Sequence, residues 1–71
     1  MPRIIKRSVE INGHSTSVSL EEPFWQSLQE IAKARKTSIN QIATELDAQN
    51  PPNLSSAIRV FVLGYYKQAN H

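Results

Sequence analysis

Few side chains in this 71-residue sequence can do covalent chemistry. It contains no cysteine, and its two histidines, His14 and His71, stand at opposite ends. A thiolate metal site is therefore excluded, and a structural metal held by histidines so far apart is not expected. No nucleophile comes with a base and an orienting acid, and nothing resembles a glycine-rich phosphate loop. The adjacent acids Glu21 and Glu22 read as helix-start charges, not as a catalytic pair. Neither an enzyme nor a cofactor is expected. The chemistry that remains is non-covalent. Ser15, Ser17 and Ser19 repeat at alternate positions, and Thr37, Ser38 and Asn40 follow Lys36. Arg3, Lys6 and Arg7 precede the first acid, Glu10, while Lys33, Arg35 and Lys36 form a second cationic group. Hydroxyls that donate and accept, beside clustered cations, suit recognition of a polyanion. A net charge of +2 does not by itself say so, since the same charges serve equally as a solvated surface.

The elements that must carry these residues follow from periodicity. Val9 and Ile11, then Thr16, Val18 and Leu20, alternate on either side of Asn12-Gly13, the strongest two-residue hairpin signal because both residues tolerate positive φ. With those two as the turn, Ile11 opposes His14 and Val9 opposes Thr16. The apolar residues and Thr16 then share one face; Ser8, Glu10, Ser15, Ser17 and Ser19 share the other. Pro23 suits a first helical turn, and Phe24, Leu28, Ile31 and Ala32 follow at helical spacing with Trp25 on the flank, predicting a helix over 22–35. Ser38 is a good N-cap for a helix over 38–49 with Ile39, Ile42, Ala43 and Leu46 inside. Asn50-Pro51-Pro52-Asn53 stops it, and Asn53 can cap a third helix over 54–67. The middle of that helix, Val60-Phe61-Val62-Leu63, is apolar almost all round, which implies burial on more than one side.

One domain fits in this length, and so small a domain often needs a disulfide, a metal or a second subunit. The first two being absent or unexpected, a homodimer is the expectation, with the third helix as a second argument for it. No apolar run reaches membrane-spanning length, and the basic start lacks the features of a signal peptide, so a cytoplasmic protein that does not enter a membrane is expected.

Residues 15–49 resemble the ribbon–helix–helix repressors of the Arc and MetJ type. The match lies in Ser15-Thr16-Ser17-Val18-Ser19-Leu20, a helix opening near Pro23, and Thr37-Ser38-Ile39-Asn40 starting the next. The basic arm over 1–14 and the third helix resemble a bacterial branch that carries such additions. The resemblance implies a mainly α fold with a short β-ribbon at 15–20, formed antiparallel between two intertwined chains. Double-stranded DNA is then the partner. Ser15, Ser17 and Ser19 would face the bases, and the start of the second helix, with Lys36, Thr37, Ser38 and Asn40, would hold a phosphate through free amides and the helix dipole. Lys6 and Arg7 would add phosphate contacts, and Arg3 and His14 accessory ones. Val18, Leu20, Trp25, Leu28, Ile39, Ile42 and Phe61 would form the dimer core. Serine reads bases poorly compared with arginine or asparagine, so water, DNA shape or longer neighbours must assist.

Two roles stay open at this point. Residues 3–11 form either a strand flanking the ribbon or an arm tracking the DNA backbone. The protein is a repressor whose dimers occupy an operator, alone or side by side. Alternatively it is an antitoxin or adaptor that binds a protein through the third helix, where Tyr65 and Tyr66 otherwise read as dimer packing.

Overall fold

A computed structural model of the protein describes residues 3–69. Two strands come first, β1 (Ile4–Ile11) and β2 (His14–Glu21), joined by Asn12-Gly13 and paired antiparallel along their whole length. Asn12 and Gly13 have φ of 51° and 81°, the positive values that a two-residue turn needs to match the strands' twist. Residues 4–11 are thus a strand, which decides between strand and arm. The paired strands belong to one chain, so β1 occupies one edge of β2 and leaves the other to be accounted for.

The register puts Ile5, Arg7, Val9 and Ile11 opposite Leu20, Val18, Thr16 and His14. Val9, Ile11, Val18 and Leu20 are buried there by three helices. Thr16, expected to turn inward with them, shares their face but is exposed, as is His14. The helices cover the tip on the β1 side, where Ile11 is buried, and leave its β2 side open.

Helix α1 (Glu22–Ala34) begins with Pro23 and buries Leu28, Ile31 and Ala32. It ends by placing Lys36 at φ 56°, with the Thr37 N–H donating to Ala32 O (2.9 Å) and the Lys36 N–H to Lys33 O (3.1 Å). This is the Schellman closure, with lysine in the left-handed position that glycine usually takes. Helix α2 (Ile39–Asp47) buries Ile42 and Ala43 and packs on β1. After the Pro51-Pro52 turn, the Asn53 Oδ1 accepts from the Ser56 N–H (2.9 Å), and α3 (Leu54–Ala69) packs on β2, α1 and α2.

Helix α3 is only partly buried. Ile58 and Val62 are buried, but Val60 and Leu63 are 70% and 57% exposed. Within one chain the helix has the rest of the fold on one side only, so the opposite side of its apolar middle stays in solvent.

Leu20, Leu28, Ile31, Ile42, Ile58 and Val18 are the largest fully buried side chains, drawn from β2 and all three helices. Each contributes about 1.5–3 kcal/mol by leaving water. Because Ile58 is the α3 side chain locked into that cluster, Ile58→Ala should cost about 2–5 kcal/mol. A urea titration followed by circular dichroism should show a lower midpoint with helix loss, not a local change confined to α3.

Candidate nucleic-acid interface

The side of the hairpin away from the helices carries Ile4, Lys6, Ser8 and Glu10 on β1 and Ser15, Ser17, Ser19 and Glu21 on β2, in facing pairs. Ser15 and Ser17 are exposed, as are Lys6 and Ser8, whereas Ser19 is half-buried. Ser8 lies directly opposite Ser17 and belongs to the same polar surface. The Asn12-Gly13 register already placed it there. Among the described residues Lys6 is the one cation on this face.

The other expected cationic contacts lie elsewhere. Arg7 is on the helix side, opposite Val18. Its Nη2 donates to Glu22 Oε2 (2.7 Å), its guanidinium lies 4.6 Å from the centre of the Trp25 ring, and its Nη1 is buried with no partner. That guanidinium holds β1 to α1 and is not presented to a ligand. His14 sits on the helix side near the tip, and Arg3 is exposed just before β1. Arg35 lies over the Phe61 ring at 5.8 Å.

The start of α2 leaves backbone amides free. Ser38 Oγ accepts the Gln41 N–H (3.0 Å), capping one amide, while the N–H groups of Ile39 and Asn40 have no partner among the described residues. Lys36 and Ser38 are exposed beside them, and Thr37 is half-buried. The Asn40 side chain is engaged otherwise: its Oδ1 accepts the Glu10 N–H (3.0 Å). This bond pins the amino end of α2 against the outer edge of β1, so the free amides stand beside the hairpin at a fixed position.

The outer edge of β2 is closed at one point by α3. The Ser19 N–H donates to Ser55 Oγ (3.0 Å), and Arg59 Nη2 donates to Ser19 O (3.1 Å). Arg59 Nε also donates to Glu21 Oε1 (2.9 Å), which holds the Glu21 carboxyl below the usual glutamate range. Glu21 is the residue before α1 but makes no side-chain cap bond. Its carboxylate serves α3 instead of the helix start, and Glu22 serves Arg7. Sequence reasoning missed Ser55 and Arg59, since nothing local in α3 points to a strand 36 or 40 residues earlier.

Of the residues assigned to a dimer core, Val18, Leu20, Leu28 and Ile42 are already buried within one chain. Trp25, Ile39 and Phe61 are only partly buried.

A polar two-stranded ribbon with a helix start fixed at its edge is the arrangement of a ribbon–helix–helix domain, and the family model of that description, "Ribbon-helix-helix domain", matches residues 4–66. The chain belongs to that family, whose members are in general DNA-binding regulators or antitoxins, typically without enzymatic activity, and bind DNA as dimers. Among solved structures, an uncharacterized protein from Bordetella pertussis Tohama I is similar, with 32% identity and a TM-score of 0.78. The match covers 96% of this chain and 60% of that one, so the chain spans about three-fifths of its relative's length. No curated protein matches the sequence. No described helix is long and apolar enough to cross a membrane.

Two stability measurements check this geometry. Lys36→Gly should raise stability by roughly 0.5–1 kcal/mol by relieving the left-handed backbone, whereas Ser38→Ala should lower it by about 1 kcal/mol through loss of the cap. The Glu21–Arg59 pair stabilises the fold above the ordinary glutamate range, and that contribution is lost as the pH falls through the lowered folded value. Arg59→Met should flatten the acid side of a plot of unfolding midpoint against pH; an unchanged slope would remove the pair from the account.

Proposed function

We propose that the protein is a sequence-specific DNA-binding transcriptional regulator, a bacterial repressor acting in the cytoplasm, whose homodimer lays the serine face of its ribbon into the major groove of an operator. The observation that carries this reading is the Asn40–Glu10 bond. It sets the free amides of α2 at the margin of an exposed polar ribbon, so one surface can reach bases and grip a flanking phosphate. Ser15, Ser17 and Ser19 are the base-facing residues, with Ser8 beside them. Lys6, Lys36, Thr37 and Ser38 serve the phosphates, and Arg3 extends their reach from the end of β1. Asn40 contributes through its backbone amide. Arg7 and His14 stand on the other face and are not assigned a contact.

Pairing through β2 would give a sheet of four strands, with the serine rows of the two copies central and the β1 strands outside. At about 4.8 Å per strand such a sheet spans roughly 14 Å between its outer strands, slightly more than the ~12 Å groove. Twist that turns the β1 strands out of the groove, or a locally widened groove, accommodates the difference. Short hydroxyls fit such a reader, because they work through water and DNA shape more than through bidentate contacts.

The alternative reading is an antitoxin or adaptor that binds a protein through α3, and the exposure of Val60 and Leu63 is the observation in its favour.

The test is a titration of the purified protein with its own upstream DNA and with a scrambled duplex at two salt concentrations. Preference for the upstream DNA and a steep loss of affinity with salt are expected. Ser17→Ala should cost on the order of fivefold on the upstream duplex only. Lys36→Ala should weaken binding to both duplexes and reduce the salt slope by about one. Weak, equal binding that ignores Ser17→Ala would leave the serine face as surface and move attention to α3.

A further inference from the structure

Strand β2 has one edge open to another chain, and its pattern of free groups is unequal along its length. Ser19 directs its N–H and C=O away from β1, as its bonds to Ser55 and Arg59 show. By the two-residue repeat, Ser17 and Ser15 direct theirs the same way. Neither has a further partner among the described residues. The free stretch is therefore Ser15 to Ser17, bounded by the turn at Asn12-Gly13 on one side and by the α3 clamp on Ser19 on the other.

Resting on the dimer reading above, we propose that α3 is a register stop: by occupying Ser19 it confines a second copy of this chain to Ser15 and Ser17, with Thr16 on the twofold axis. In that register Ser15 pairs with Ser17 of the other copy and the reverse, so both outward-facing residues of each chain are satisfied. A ribbon centred on Ser17 would need Ser15 to pair with the occupied Ser19. One centred on Ser15 would need Ser17 to pair with Gly13, which the turn holds at φ 81°. Each of those leaves backbone groups unpaired.

Three further observations point to a second copy at this edge. The residues that would face one another are small and uncharged, so self-pairing brings no like charges together. The outer edge of β1 is unsuited, because Asn40 fills it at Glu10 and Lys6 stands along it as a guard. Thr16 and His14 lie on the helix side of β2 yet are exposed, so the position on the axis is one that the chain's own helices leave uncovered.

The chain has no cysteine, so single cysteines report the register cleanly. Ser15→Cys, Thr16→Cys and Ser17→Cys would each be made in the full chain, oxidised with diamide and scored for disulfide-linked dimer on non-reducing gels. Sedimentation of the unmodified protein gives its mass independently. With Thr16 on the axis, Thr16→Cys should cross-link at least about tenfold more than the other two, whose Cα atoms lie roughly 8–9 Å from their own copies, beyond the ~7 Å limit for a disulfide. Adding Ser55→Ala and Arg59→Ala should shift cross-linking towards Ser17→Cys as Ser19 becomes free.

Preferential linking through Ser15→Cys or Ser17→Cys in the unaltered clamp would overturn the register. A pattern indifferent to the clamp substitutions would overturn the stop. A dimeric mass with no cross-link at any site would place the interface elsewhere and leave the dimer reading standing. A monomeric mass across the concentration range used for DNA binding would overturn both.

Discussion

The Asn12-Gly13 turn is the constraint on which the rest of the structure depends. It sets which residue of β1 faces which residue of β2, and a slip of one position would exchange the two faces completely. In the register formed, Val9, Ile11, Val18 and Leu20 meet the helices together, and the serines share the opposite face, with Ser8, Ser15 and Ser17 exposed. The apolar face of the hairpin then fixes where α1 and α3 pack on β2 and α2 on β1. Position of the α2 start is thus a consequence of strand register. The Glu10–Asn40 bond adds the final adjustment, tying that start to the strand whose register the turn has set.

Much of this was legible in the residues, because the signals are local. Asn12-Gly13 carries the hairpin and its pairing, Pro23 and Ser38 mark helix starts, and the Pro51-Pro52 pair separates α2 from α3. The serine face was legible for the same reason: alternation on a strand needs no knowledge of the rest of the fold. What could not be read was which partners the charged side chains would find. Arg7 follows Lys6 in a basic run and was grouped with it, although alternation already places it with Val9 on the other face; that Glu22 and Trp25 engage it there depends on how α1 packs. Arg59 and Ser55 act on a strand far away in sequence, so their role depends on how α3 docks. The apolar middle of α3 implied burial on more than one side, with a second subunit expected to supply what one chain lacks. Val60 and Leu63 show that an apolar run can remain half in water when one chain has nothing left to cover it.

Lys36 and the three serines share a physical character. Glycine would close α1 with less strain than Lys36 does, and arginine or asparagine would serve the proposed base-reading role more strongly than the serines. Lysine in the left-handed position sits three residues before the first free amide of α2, where a positive charge adds to the helix dipole. Small hydroxyls on the ribbon keep its polar face low, so the sheet backbone can come near a groove wall. In both places the residue present is weaker for stability or discrimination but fits the close approach to DNA proposed above.

The same economy explains how one helix can serve the core and the ribbon together. Ile58 anchors α3 in the core from the face turned inward, while Ser55 and Arg59, three residues before it and one after, reach the backbone of Ser19. Helical spacing allows both because positions separated by three or four lie on neighbouring lines of one face. The clamp covers part of an edge that would otherwise run the length of β2, an exposed template for uncontrolled pairing. What it leaves open is short, uncharged and able to pair with its own copy, so the feature that guards the fold against aggregation also narrows the ways in which two chains can meet.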